Sequence, residues 1–118
     1  WSQVEMHRAQ NDYQREIAAA FLDWGIPTAE SILNVRSVTP DLPLFASGGL
    51  RTGTEVAKCI ALGATLGGMA NPFLKAATTS VDETIQVIET IKRELQITMF
   101  AAGVGDLSTL AQTPLKKD

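Results

Sequence analysis

Between Leu42 and Phe73 the chain twice passes from a short apolar run through a glycine pair into a helix start: "LPLFASGGLRTGTEV", then "TLGGMANPF". No polar alternation interrupts "LPLFAS", the pattern expected of a strand covered on both faces in a parallel sheet. Thr52 followed three residues later by Glu55 fits a capping box. Val56, Ala57, Ile60 and Ala61 then form an apolar helix face, and Gly63 marks its end in the left-handed conformation. After the second run, Pro72 suits the first turn of a short helix, where its missing N–H costs nothing. Two strand-to-helix units in succession imply parallel strands joined by a crossover helix.

The flanks continue the pattern. "AAAFLDWGIP", residues 18–27, is an apolar run for a further strand, ended by a Gly-x-Pro breaker, and Thr28 is a good N-cap residue. The helix predicted next carries Ile32, Leu33 and Val35 on one broad face until Pro40 halts it. Downstream, Ser80 and Glu83 form another capping box ahead of a long helix, with Ile85, Ile88, Ile91, Leu95 and Met99 at three- and four-residue steps. A last short helix follows Asp106, and "PLKKD" reads as a solvated tail. The opening "WSQVEMHRAQNDYQREIAAAF" shows neither a helix start signal nor a preceding strand, which suggests a piece of something longer.

The resulting order is strand, helix, strand, helix, strand, short helix, long helix. It suits an open doubly wound sheet or a closed (β/α)8 TIM barrel, and the short helix after the last strand favours the barrel. In such barrels a phosphate site is frequently built by the loops after the seventh and eighth strands and the N-terminus of a short extra helix. With "LFAS" as seventh strand and "LGGM" as eighth, Gly48, Gly49, Leu50 and Arg51 form one lip of that site, and Ala70 and Asn71 the other.

Glycine lets backbone approach a ligand closely, and helix N-termini present free amides with partial positive charge. Two helix starts converging on one point therefore suit a dianion, to which Arg51 adds a charge-assisted contact. One glycine corner alone reads sooner as a tight turn with a solvated arginine. Two in succession, the second followed by a short helix, point to phosphate.

Little else in the chain offers chemistry. His7, its only histidine, lies in a polar stretch with Glu5, Asp12 and Glu16 and reads as a surface residue. Trp24 reads as core or as the wall of a ligand pocket. Cys59 is the only cysteine, so no internal disulfide or Cys/His metal cluster can form, and its place in an apolar stripe makes it a packing residue. Over 118 residues, 45% hydrophobic and 19% charged, the composition is that of a soluble globular protein. The net charge of −3, with acids and bases interspersed, leaves no basic stripe for nucleic acid. No apolar run is long enough to span a bilayer and no signal-peptide pattern opens the chain, so a cytoplasmic location without a membrane partner is expected.

Four stretches together carry a specific resemblance: "WSQVE" at 1–5, "DWGIPTAESI" at 23–32, "PLFASGGLRTGTEVAKCIALGA" at 43–64 and "GMANPFLKAA" at 68–77. This set resembles the C-terminal part of the type 2, FMN-dependent isopentenyl-diphosphate isomerases, which are (β/α)8 barrels. The "SGGLR" corner is shared with other FMN-linked barrels, whereas "WGIPT" and the opening five residues are more specific. The resemblance implies isomerisation of isopentenyl diphosphate to and from dimethylallyl diphosphate, in isoprenoid biosynthesis. Reduced FMN would act as the acid–base group, Mg2+ would sit on the diphosphate, and NADPH would reduce the flavin. It places Gly48, Gly49, Leu50 and Arg51 in the first FMN phosphate-binding segment and Ala70 and Asn71 in the second, with Asn71 acting through its backbone amide.

On this resemblance, residues 1–118 are the C-terminal portion of one FMN-binding barrel domain, about strands six to eight, against roughly 250 residues for a complete barrel. The residues for substrate, Mg2+ and catalysis would lie upstream of Trp1, the piece by itself would be inactive, and the whole enzyme is expected to be a homo-oligomer. Two other readings compete. The first is another FMN barrel of the 2-hydroxy-acid oxidase kind, against which the absence of histidine in "DWGIPTAESI" counts; an inosine-monophosphate-dehydrogenase-like barrel would need its cysteine on an earlier loop than Cys59. The second is a non-catalytic phosphate-binding or assembly module using the helices from Ser80 onward for oligomer contacts.

Overall fold

The computed structural model describes residues 2–116; Trp1, with which the resemblance begins, and Lys117 and Asp118 of the tail lie outside the described residues. Seven helices and two strands follow in the order α1 (Ser2–Arg8), α2 (Asp12–Ala19), α3 (Thr28–Val38), β1 (Phe45–Ala46), α4 (Gly53–Ala61), β2 (Leu66–Gly67), α5 (Asn71–Ala77), α6 (Val81–Ala101) and α7 (Leu107–Leu110). The strands pair in parallel, Phe45 opposite Leu66 and Ala46 opposite Gly67, with α4 as the crossover. The Gly68 amide extends the ladder to the Ala46 carbonyl at 2.7 Å. The two βα units read from the sequence are thus present, with the helix starts where expected but with strands of two residues each, shorter than the runs "LFAS" and "LGGM".

The run at 18–27 is not a strand. Ala18 and Ala19 close α2, and turns and bends carry the chain through residues 20–25. Asn11 caps that helix by accepting the Gln14 amide at 2.9 Å, and the alanines that looked strand-like are strong helix formers. A strand also needs a hydrogen-bonded neighbour, and the sheet among the described residues holds only β1 and β2. The opening stretch, without a recognisable start signal, nevertheless forms α1, which packs against α2.

α4 sits at the centre of the packing. On one side Cys59 joins Ile32 of α3, Ala46 of β1, Leu50 and Ala64; on the other Val56, Ala57 and Ile60 meet Leu110 of α7 and the Leu95–Met99 stretch of α6. Met69 touches both clusters. Cys59 is thus the packing residue its position suggested. Burial is less complete than the sequence implied elsewhere. Only the Ala46 side of the sheet is covered, whereas Phe45 is 65% exposed on the other, so neither strand is buried on both faces. In α3 only Ile32 is buried, and Ile85 and Ile88 of α6 lie exposed. No helix among the described residues is long and apolar enough to cross a membrane.

The helix ends show why they stop and start. The Thr52–Glu55 capping box is complete, Pro72 lies in the first turn of α5, and Gly63 takes a φ of +108° after α4. At Ser80 only half of the expected box forms: its hydroxyl accepts the Glu83 amide at 3.1 Å, but its own amide already donates to the Ala76 carbonyl at 3.0 Å. Glu83 therefore has no amide to reach back to. Thr28, expected to cap α3, is instead its first helical residue after Pro27, and its hydroxyl donates to the Gly48 carbonyl at 2.8 Å.

Candidate phosphate-binding cleft

All six residues singled out from the sequence line one cleft of about 790 Å³: Gly48, Gly49, Leu50 and Arg51 from the loop after β1, Ala70 and Asn71 from the turn into α5. The parallel pairing of β1 and β2 brings them together, since both loops leave the same end of the sheet. Gly48 and Gly49 have φ values of +111° and +79°, a region that glycine enters without the penalty of a Cβ. A Cβ at Gly49 would meet no protein atom within 4 Å, so the backbone there faces open space.

The amides of Gly48, Gly49 and Leu50 have no hydrogen-bond partner among the described residues, nor has that of Asn71. α5 has no side-chain cap either. Unpaired amides from two loops around one cleft are the donors an anion needs. The Arg51 guanidinium makes no ion pair with any described residue and borders the same cleft.

One expectation is corrected here. The start of α4 is mostly closed: the amides of Arg51 and Thr52 donate to Glu55 Oε2 at 2.6 and 3.1 Å, that of Gly53 to Glu94 Oε2 at 2.6 Å, and that of Glu55 to Thr52 Oγ1, while that of Thr54, without a partner among the described residues, does not border the cleft. Two carboxylates already complement that dipole, so a dianion gains less from it. Arg51 can contribute only its side chain, and the backbone donors are the glycine corner and the turn at Asn71. The Glu55 carboxyl is held below its ordinary pKa, chiefly by the Arg51 amide and against an opposing effect of burial.

The structure adds wall residues that sequence reasoning did not assign: Val4, His7 and Arg8 of α1. His7 remains exposed, as expected, but it lines the same cleft as the glycine corner. No local pattern at residues 4–8 signals this, because it depends on how α1 meets loops more than 40 positions later. Trp24 is exposed, its ring edge-on to Phe21 at 5.8 Å, and lines neither core nor cleft. Among the described residues no three His, Cys, Asp or Glu side chains gather as a metal would require.

Comparison with known proteins decides the family. The sequence profile described as FMN-dependent dehydrogenase matches residues 20–117. The chain belongs to that family. Within it, the chain is 45% identical to the isopentenyl-diphosphate delta-isomerase of Rickettsia rickettsii (strain Sheila Smith) over 116 residues, 98% of this chain and 34% of that protein. Against the isomerase of the same name from Nostoc sp. (strain PCC 7120 / SAG 25.82 / UTEX 2576), identity is 46% over 93% of this chain and 31% of the relative. The chain therefore spans about a third of the length of the curated relatives it matches. Among solved structures, mandelate oxidase with benzoyl-formic acid superposes with a TM-score of 0.72 at 26% identity, over 77% of this chain and 28% of that one. The two βα units are part of an FMN-dependent dehydrogenase barrel, and the cofactor of the family is FMN.

Proposed function

We propose that the glycine corner and the Asn71 turn hold the phosphate of FMN in an isomerase that interconverts isopentenyl diphosphate and dimethylallyl diphosphate. The observation that carries this is the set of unpaired amides at Gly48, Gly49, Leu50 and Asn71, with Arg51, around one cleft in a chain of FMN-dependent family. The choice of reaction rests on the 45% identity to proteins of that name. Reduced FMN, when bound, supplies the acid–base group for moving the allylic proton.

This chain's own residues bind and orient. The loop amides donate to the phosphate oxygens, Arg51 neutralises their charge, and glycine at positions 48 and 49 lets the backbone come close. Mg2+ on the substrate diphosphate, NADPH as reductant, a cytoplasmic location and a homo-oligomeric whole enzyme remain part of this reading, carried by the resemblance and not by any side chain described here. Residues 1–118 would then be the C-terminal portion of the barrel domain.

The test is direct. The full-length protein should be yellow or take up added FMN, and with reduced FMN and Mg2+ it should convert isopentenyl diphosphate to its allylic isomer. Failure to bind FMN would overturn the site. FMN binding with oxidation of a 2-hydroxy acid, and no isomerisation, would instead support the oxidase reading that the mandelate oxidase superposition favours.

A further inference from the structure

Thr28 belongs to the "WGIPT" stretch, twenty residues before the glycine corner, and it does not line the cleft. It borders two other hollows that share the corner with the cleft, one with Ile26, Ser31, Ile32 and Gly48, the other with Ala29, Leu33 and Gly48 to Leu50. Its hydroxyl donates to the Gly48 carbonyl at 2.8 Å. The contact is close enough that a Cβ on Gly48 would fall 2.9 Å from Thr28 Oγ1, so glycine at 48 and threonine at 28 fit one another. The hydroxyl is also available for this role, because it does not cap α3.

The peptide between Gly48 and Gly49 is planar and trans, so its N–H points opposite to its C=O. A carbonyl held toward Thr28, which is not part of the cleft lining, sends the Gly49 N–H the other way. Glycine on both sides of the peptide makes this orientation soft, since flanking glycines allow the unit to rotate at little steric cost. An external hydrogen bond is then what selects one orientation. We propose that Thr28 is a positioning residue: by holding the Gly48 carbonyl it aims the Gly49 amide into the cleft as a phosphate donor. The inference rests on the reading of that corner as the FMN phosphate site.

FMN and riboflavin differ by the phosphate, so their affinity ratio isolates it. Both are titrated into the whole protein and its Thr28→Val and Thr28→Ser variants. Thr28→Val should weaken FMN about tenfold, as expected for misaiming one hydrogen bond to a charged group, and leave riboflavin unchanged. Thr28→Ser, which keeps the hydroxyl, should retain the native ratio. Thr28→Ala repeats the comparison should the valine variant not fold. Equal loss of both flavins would show a merely structural role and overturn the proposal, as would unchanged FMN affinity. An unsubstituted protein that binds riboflavin as tightly as FMN would overturn the phosphate reading itself, and the role of Thr28 with it.

Discussion

The amide of Gly53 donates to Glu94 Oε2 across 2.6 Å, tying the first turn of α4 to the C-terminal half of α6. The helices cross there so closely that a Cβ on Gly53 would run into the Ile91 carbonyl and the Leu95 amide. Glu94 therefore completes the capping of the helix that follows the glycine corner.

Removing that carboxylate should be felt as lost stability. Glu94→Ala leaves a buried amide without an acceptor and should cost about 1–3 kcal/mol in urea unfolding. Glu94→Gln, which keeps an acceptor oxygen, should lose less. Equal losses for the two would show that the bond contributes nothing beyond packing.

Acid should act on Glu55. Its pKa is lowered first by the Arg51 amide and further by Thr52, so its ionised form is favoured in the folded chain. By linkage, its contribution is complete at pH values above the ordinary carboxylate range and is lost as pH falls through the lowered folded-state value. The melting-temperature gap between the native protein and Glu55→Gln should accordingly be constant from pH 6 to 8 and narrow below about pH 4. A gap that does not change with pH would count against this.

Arg36 should resist conservative replacement. Its Nε donates to the Gly63 carbonyl at 3.0 Å, Nη2 donates to the same oxygen, and Nη1 reaches the carbonyls of Thr39, Pro40 and Leu42. One planar fork thus joins the end of α3 to the end of α4. A lysine ammonium cannot match that geometry, so Arg36→Lys should recover less than half of the loss of about 2 kcal/mol expected for Arg36→Ala. Near-complete rescue in denaturant melts would contradict this.

Gly49→Ala separates ligand from fold. The methyl meets no protein atom within 4 Å, so its cost to folding is the left-handed strain of about 1–2 kcal/mol. It projects where the backbone faces open space, and FMN affinity measured by titration should fall by more than stability does. Unchanged affinity would remove Gly49 from the phosphate site.

Cys59 should be inert in the folded chain. Burial pushes its thiol pKa up, and the nearby Glu55 charge adds to this. Iodoacetamide at pH 8 should modify it only at the rate of unfolding; rapid labelling of native protein would show the α3–α4 cluster to be open.

What could be read without coordinates was local. The Thr52–Glu55 box, Pro72 at the start of α5, Gly63 after α4 and the glycine corner each involve residues within four positions of one another. Their backbone geometry is set by short-range sterics and hydrogen bonds that any fold must respect. The six cleft residues were legible for the same reason, as two corners of one repeating unit.

The misreadings came where a distant partner decides. Residues 18–27 look as suitable for a strand as for a helix end, and only the presence or absence of a neighbouring strand chooses between them. Thr28 looks like a cap until Gly48, twenty residues on, offers its carbonyl, and Glu94 carries no local mark of a bond to an amide 41 residues away. The sequence by itself determined the two βα corners and their glycine geometry. Only the tertiary structure decided which amides stay free to bind, because an amide is free or taken according to what the rest of the chain brings within hydrogen-bonding distance.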